Sequence, residues 1–123
     1  FCADTFRAAG VDFLPVQANL STNSAALTLR GLHFQPAPHA EAKLVRAVQG
    51  RAFDVAVDLR PGPTRGKWHA VELSAAAMNA LFIPEGFAHG FLTLEAGTTL
   101  FYQMAPAHVP GHGRGIRWDD PAI

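Results

Sequence analysis

The sequence is poor in charge and has a single cysteine. Ten lysines and arginines balance ten aspartates and glutamates, so neither a basic block for nucleic acid nor an acidic tail is present. Cys2 alone cannot close an internal disulfide, which fits a reducing compartment. No apolar run approaches the roughly 20 residues of a membrane span, and no signal-like start is found. We therefore expect a cytoplasmic protein that binds neither nucleic acid nor membrane.

The 123 residues are enough for one hydrophobic core and too few for two. About half of them are apolar (49%), a composition typical of a globular protein rather than a disordered one. The first residue is Phe1 rather than Met. We expect residues 1–123 to form a single domain whose native N-terminal and C-terminal segments are missing.

Short alternating stretches separated by turns indicate strands along most of the chain. The segment 1–9 is compatible with a short helix that Gly10 ends, the polar segment 17–24 is typical of a turn, and Gly50-Arg51 is a hairpin signal. If segment 30–35 is a regular strand, Arg30 and His33 point to opposite faces. About eight short strands with little helix predict an all-β sandwich or barrel. The predicted strands are 11–16, 30–35, 43–49, 53–59, 68–73, 81–83, a strand after Gly86, and 98–104.

The segment Pro84–Leu94 predicts a turn that leads into a strand. Pro84 fixes φ, and Gly86 permits a backbone conformation that other residues avoid. Pro-x-Gly-x-x-His, ending at His89, resembles the second signature of the cupin superfamily. That resemblance implies a double-stranded β-helix, or jelly-roll barrel, with a ligand in its interior and His89 pointing inward.

The first cupin signature commonly supplies two histidines and a glutamate to a metal ion, and this chain departs from that pattern. His33 takes the first ligand position, but Gln35 replaces the second histidine and Lys43 replaces the glutamate. An ammonium has no lone pair to donate and repels a divalent cation. We therefore expect no metal. A metal-dependent cupin oxygenase is an alternative function that ranks below the two given at the end of this subsection.

The interior of the predicted barrel keeps four groups that suit proton transfer beside a carbonyl: His33, Lys43, His89 and Tyr102. A histidine of near-neutral pKa is suited to act as the base, and a lysine or histidine donor stabilises an enolate oxygen. A tyrosine on the other side can return a proton to the opposite face of the carbon. Two acid–base groups on opposite sides of one carbon invert it, which is an epimerisation.

Longer motifs, in order along nearly the whole chain, resemble the dTDP-4-dehydrorhamnose 3,5-epimerase family. The resemblance implies an isomerase that acts on a nucleotide-linked 4-keto-6-deoxy sugar without metal or organic cofactor. The reaction is of the type that converts dTDP-4-dehydro-6-deoxy-glucose to dTDP-4-dehydro-L-rhamnose, a deoxysugar precursor of lipopolysaccharide and cell-wall polysaccharide. The motifs are residues 30–35, 43–46, 54–60, 83–91, 101–102 and 114–121.

Catalytic roles follow from the resemblance, residue by residue. It implies His33 as the proton-abstracting base and Tyr102 as the proton donor. Lys43 and His89 are placed at the keto oxygen and the sugar. Asp54, on a strand expected to face inward, is predicted to orient His33 or Lys43.

Substrate binding is likewise assigned from the resemblance. Arg30 is predicted to bind substrate, since an anionic pyrophosphate suits a guanidinium that pairs bidentately with phosphate oxygens. Gln17 and Asn19 are expected near the nucleotide, Gln35 among the binding residues, and His89 at the sugar. The family also has substrate contacts before Phe1 and a carboxylate that pairs with the catalytic histidine after Ile123.

Other interpretations of these residues stay open. This chain has His108 where the family commonly has an aromatic residue that stacks on thymine, and Gly113 where a glutamate is frequent, so the base and the sugar are not determined. Arg30 is alternatively a partner of Asp54, Lys43 a solvated edge charge, and Tyr102 core filling. Trp68 and Trp118 are expected in the core or an interface.

We expect a homodimer, which would cover exposed strand edges. The first alternative to a double epimerase is a single-centre epimerase or ketoisomerase of a related sugar nucleotide. The second is a cupin that binds a sugar nucleotide without turnover.

Overall fold

Nine short strands and one short helix form the secondary structure in a computed structural model that describes residues 1–123. The helix lies where the sequence predicts it, and Gly10, at φ +86°, follows it. None of the helical structure has the length and apolar character that a membrane crossing needs. The elements are α1 Ala3–Ala8, β1 Gln17–Asn23, β2 Leu29–Phe34, β3 Ala42–Gln49, β4 Arg51–Asp58, β5 Trp68–Ser74, β6 Ala80–Ile83, β7 Phe87–Thr93, β8 Thr98–Ala105 and β9 Arg114–Gly115.

The strands form two antiparallel sheets, which confirms the all-β prediction. The four-stranded sheet has the order β1-β8-β3-β6, and the five-stranded sheet has the order β5-β4-β7-β2-β9. Strands that follow each other in sequence mostly lie in different sheets. The chain therefore crosses repeatedly from one sheet to the other, and both sheets contribute walls to whatever lies between them.

One end of the space between the sheets is a packed hydrophobic core. Leu73 and Leu100 are fully buried there, and fully burying such a side chain stabilises a fold by about 1.5–3 kcal/mol. The other end is lined mainly by polar and charged side chains. The core cluster consists of Val45, Ala47, Ala52, Ala56, Leu73, Ile83, Phe91 and Leu100.

The hairpin prediction at Gly50-Arg51 is wrong. β3 pairs with β6 and β8, whereas β4 pairs with β5 and β7, so Gly50 lies at a corner between the sheets. Its φ of +74° turns the chain, and Thr98 Oγ1 donates a hydrogen bond to the Arg51 carbonyl at 3.1 Å. An alternating pattern followed by a glycine is common to a hairpin and a corner, so it does not specify the partner strand.

Two predictions near the N-terminus are also wrong. Residues 17–23 form β1, which pairs with β8 over seven positions, and residues 11–16 are not a strand. Polar residues occupy the pocket-facing positions of β1, and Ala18 and Leu20 are the only apolar residues of the strand, too few to mark it as one. In the segment before it, Phe13 is buried, with its ring against those of Phe1 and Phe82.

β2 is interrupted by a bulge, so the regular alternation predicted for 30–35 is wrong. Arg30 pairs with Phe91 and His33 with His89, so three steps along β2 match two along β7. The extra residue lets Arg30 and His33 face the same pocket. Leu32 packs instead on the other side of the sheet, in a small cluster with Val57.

Gly31 is the residue that permits the bulge. Its φ is +101°, and a Cβ there would lie 2.6 Å from the His89 carbonyl oxygen. We expect Gly31→Ala to lower the free energy of unfolding by about 2–5 kcal/mol, because it combines backbone strain with overpacking. Denaturant unfolding would measure the loss. Gly113→Ala is the matched control, since a Cβ there meets nothing within 4 Å, and equal stability of the two variants would contradict the prediction.

The C-terminal segment covers part of the outer face of the five-stranded sheet. Ile116 and Ile123 pack against the cluster that contains Leu32 and Val57. Trp68 and Trp118 are 58% and 66% exposed, so neither lies in the core. Their location in an interface, the other possibility, stays a prediction.

Candidate active site

A pocket of about 750 Å³ lies between the two sheets and opens to solvent. It brings together residues from β1, β2, β3, β7, β8 and β9. Of the nine residues that the sequence singled out, eight line it, and Asp54 lies behind the wall. Their roles stay predictions. The eight are Gln17, Asn19, Arg30, His33, Gln35, Lys43, His89 and Tyr102.

Strand register explains the wall from the four-stranded sheet. Tyr102 lies opposite Asn19 on one side and Val45 on the other, while Met104 lies between Gln17 and Lys43. Side chains two apart on a strand share a face, so Tyr102 and Lys43 both point inward.

The five-stranded sheet supplies the opposing wall. His33 and His89 are direct cross-strand partners, and Arg30 faces the same pocket because of the bulge. His33 and Tyr102 therefore approach the pocket from different sheets. A molecule between them would have one group on each side.

Asp54 contacts His89, so the prediction that it orients His33 or Lys43 is wrong. Its carboxylate is fully buried, and both oxygens lie 2.9 Å from His89 Nε2. A buried carboxylate requires such a partner, and the pair fixes the orientation of the imidazole. Asp54 lies two residues along β4 from Ala56, which is the cross-strand partner of His89.

Arg30 does not pair with Asp54 either. Its Nε donates a hydrogen bond of 2.6 Å to Oδ1 of Asn23, a residue only 2% exposed. Asn23 is in turn fixed by a 3.1 Å hydrogen bond from its Nδ2 to the Thr98 carbonyl. The guanidinium is therefore held in place before any ligand arrives.

Lys43 lies inside the pocket wall, which excludes the alternative of a solvated edge charge. Its Nζ is 3.4 Å from Oε1 of Glu41, and the two side chains are 12% and 7% exposed. Glu41 was not identified from the sequence. Its position two residues before Lys43 was the available signal, since residues so spaced share a face when the chain is extended.

Two glutamines hold the loop that follows β8. Gln17 Oε1 accepts a 2.9 Å hydrogen bond from the His108 N–H, and Gln35 Oε1 accepts one of 3.1 Å from the Val109 N–H. The Gln35 amide nitrogen donates to the His39 carbonyl at 2.8 Å and to Glu41. Gln35 is thus occupied by protein partners, and Gln17 holds His108, which lines the pocket.

The pKa of His33 lies below its ordinary value. Partial burial in the pocket wall is the main cause, followed by the positive charges of Lys43, His89 and Arg30. Each of these disfavours the imidazolium form. His33 is therefore neutral at neutral pH, with a lone pair free to accept a proton.

We expect Lys43→Met to raise the pKa of His33, because it removes a neighbouring positive charge and leaves the Glu41 carboxylate uncompensated. NMR titration of the His33 ring protons would show the midpoint at higher pH. Lys67→Met, at an exposed position outside the pocket, is the control and leaves the midpoint unchanged. A midpoint that stays or falls in Lys43→Met would contradict the assignment.

The donor set of the pocket does not match a metal centre. No group of three or more histidine, cysteine, aspartate or glutamate side chains is placed to hold an ion. At the positions equivalent to cupin metal ligands, Gln35 is engaged by the protein and Lys43 is paired with Glu41.

Comparisons with known proteins agree with this geometry. A family model described as dTDP-4-dehydrorhamnose 3,5-epimerase matches residues 1–123. The chain is 50% identical over 119 residues to a dTDP-4-dehydrorhamnose 3,5-epimerase of Sinorhizobium fredii, covering 96% of this chain and 61% of the relative. It is 48% identical over 109 residues to that of Shigella flexneri, covering 88% and 60%. The chain thus spans about three fifths of the length of these relatives.

Solved structures show the same fold. The dTDP-4-dehydrorhamnose 3,5-epimerase of Bacillus anthracis, with TDP and pyrophosphate bound, matches at a TM-score of 0.95 and 39% identity, over 98% of this chain and 70% of that one. A dTDP-6-deoxy-D-glucose-3,5-epimerase of Legionella pneumophila, in complex with dTDP-4-keto-L-rhamnose, matches at 0.92 and 38%, over 99% and 65%. ChmJ, a 3'-monoepimerase of Streptomyces bikiniensis in complex with dTDP-quinovose, matches at 0.89 and 32%, over 98% and 62%. These similarities confirm the cupin-like fold.

Proposed function

Because this chain belongs to the dTDP-4-dehydrorhamnose 3,5-epimerase family, we propose that its pocket binds a nucleotide-linked 4-keto-6-deoxy sugar and inverts the carbons that flank the ketone. The observation that carries the proposal is the placement of His33 and Tyr102. They come from different sheets and line one pocket, with Lys43 in its wall. This is the arrangement that inversion of a carbon requires.

In the first step, neutral His33 removes the proton from the carbon beside the ketone. The electron pair moves onto the keto oxygen, and the Lys43 ammonium stabilises the resulting enolate. The depressed pKa of His33 supports this step, because the ring is unprotonated at neutral pH. His89, oriented by Asp54, lines the same pocket.

In the second step, the Tyr102 hydroxyl gives a proton to the opposite face of that carbon. The enolate collapses to the ketone, and the configuration is inverted. One proton has passed to His33 and one has left Tyr102, so exchange with solvent through the open pocket restores both groups. No electron is gained or lost, and the step needs no redox cofactor or metal.

Charge supports a diphosphate-linked substrate. Arg30, Lys43 and Arg114 line the pocket, and Glu41 is the single carboxylate among its lining residues. A guanidinium held by Asn23 is suited to pair with phosphate oxygens. The similar Bacillus anthracis structure binds TDP and pyrophosphate, which agrees with this assignment. We propose that Gln17, Asn19 and His108 lie near the nucleotide.

Proton NMR of dTDP-4-keto-6-deoxyglucose with the protein in deuterated water tests the proposal. A double epimerase is expected to replace the protons on both carbons that flank the ketone with deuterium, so that both proton signals disappear. The similarity to ChmJ favours a second candidate, a single-centre epimerase, which would exchange the proton of one carbon only. Saturable binding without exchange would overturn both and indicate a sugar-nucleotide-binding protein.

We also propose that the protein is a homodimer of the cytoplasm. The edge strand β1 exposes Leu20, and the segment before it exposes Leu14 and Val16, so an apolar surface is available for a second copy. Sedimentation velocity of the full-length protein would give the mass of a dimer. A monomer at micromolar concentration would overturn this proposal without affecting the proton chemistry.

A further inference from the structure

A nearly buried ion pair stands in the wall of a pocket that otherwise carries positive charge. Glu41 Oε1 and Lys43 Nζ are 3.4 Å apart. The other nearby carboxylate, Asp54, is behind the wall and bonded to His89. Glu41 is therefore the only acidic residue that lines the pocket.

A carboxylate is unfavourable in a pocket for an anionic substrate unless it serves the pocket in another way. Like charges repel, and the repulsion is strong where water is partly excluded. The lysine stem has four rotatable carbons, so an unpaired ammonium would sample many positions. A fixed carboxylate beside it removes that freedom.

Glu41 is itself fixed by Gln35. The Gln35 amide nitrogen donates to Glu41 Oε2 at 3.2 Å, so each oxygen of the carboxylate has its own partner. Gln35 is 5% exposed, and its amide also bonds the His39 carbonyl and the Val109 N–H. The chain of contacts runs from the loop after β8 through Gln35 and Glu41 to Lys43.

From this chain of contacts we infer that Glu41 is a positioning residue, which holds the Lys43 ammonium where it meets the keto oxygen. The inference rests on the proposed function for the role of Lys43 in the reaction. It does not give Glu41 any contact with substrate. Gln35 is the support that keeps the carboxylate in place.

Glu41→Gln separates charge from shape, because glutamine has nearly the same volume and retains groups that hydrogen-bond to Gln35. We expect kcat to fall about tenfold, because the ammonium loses its fixed partner. KM should stay the same or fall, since a negative charge leaves a pocket for an anion. Glu85→Gln is the matched control, as Glu85 is exposed and does not line the pocket.

A double-mutant cycle shows whether the effect passes through Lys43. In a Lys43→Met background, measured by slow deuterium exchange over hours, Glu41→Gln should have no further effect on kcat. General damage to the fold would give the same loss in both backgrounds, and that result would overturn the inference. Thermal unfolding of each variant checks that it is folded at the assay temperature.

A second measurement needs no turnover. Glu41→Gln leaves the Lys43 charge uncompensated, so His33 should titrate at lower pH than in the unaltered protein, as followed by NMR of its ring protons. An unchanged titration would overturn the inference. If the titration shifts but the unaltered protein shows no exchange, the ion pair stands and the proposed reaction fails. The other titratable or charged groups that face His33 are kept in both proteins: Arg30 on β2, His89 on β7, Tyr102 on β8, Arg114 on β9 and Asp54 on β4, behind His89.

Discussion

Replacing His33 with alanine is expected to slow deuterium exchange at the carbons that flank the ketone by about 10²–10⁴-fold, the usual contribution of a positioned general base. His33 is the imidazole with a depressed pKa that opens directly on the pocket. The other histidine deep in the wall, His89, has its Nε2 committed to Asp54. It is therefore poorly placed to take over the proton.

The control for this substitution is His69→Ala. His69 is an exposed histidine on β5 that does not line the pocket, so its loss should leave exchange unchanged. Calorimetric titration with dTDP would show whether His33→Ala still binds the nucleotide, and we expect the Kd to stay within about threefold, since the base acts on the sugar and not on the phosphates. Undiminished exchange in His33→Ala would assign the base elsewhere.

Replacing Tyr102 with phenylalanine is expected to separate exchange from inversion. His33 can still remove a proton and return a deuteron to the same face, so exchange continues with retention. Inversion requires a donor on the opposite face, and we expect its rate to fall about 10²–10³-fold. The coupling constants of the product give the configuration, and the loss of proton signal gives the exchange.

The fold should tolerate this substitution. The Tyr102 ring packs against the hydrophobic core cluster, and phenylalanine keeps that packing while losing only the hydroxyl. Phe101→Leu, at the neighbouring position, is a control for altered packing on β8. If exchange and inversion fell by the same factor in Tyr102→Phe, the tyrosine would not be a proton donor specific to one face.

Local sequence signals are sufficient to predict most of the strands and the location of His33 and His89 in the pocket. His33 and His89 each belong to a motif, and apolar alternation marks β3, β4 and β8. They are insufficient where the structure departs from regular geometry. The bulge at Gly31 places Arg30 and His33 on one side of the sheet, whereas strict alternation separates them. A single glycine in the sequence does not indicate a bulge. The atoms that would clash with a side chain at position 31 belong to β7, which is distant in sequence.

Side-chain contacts between residues distant in sequence also could not be predicted. Alternation predicts that Asp54 faces inward, but its contact with His89 depends on the register of β4 and β7, which periodicity does not specify. Glu41 lies outside the motifs, and its pairing with the nearly buried Lys43 is seen only in the structure. The segment of β1 is typical of a turn in sequence because its pocket-facing side chains are polar.

The loop after β8 is attached through its backbone, and this has a consequence for how such proteins diverge. Gln17 and Gln35 bind the N–H groups of His108 and Val109, which every residue except proline offers. The side chain at position 108 can therefore change without releasing the loop. On the proposed function, which puts position 108 near the nucleotide, preference for a base can drift in descendants of this chain while His33 and Tyr102 stay as they are.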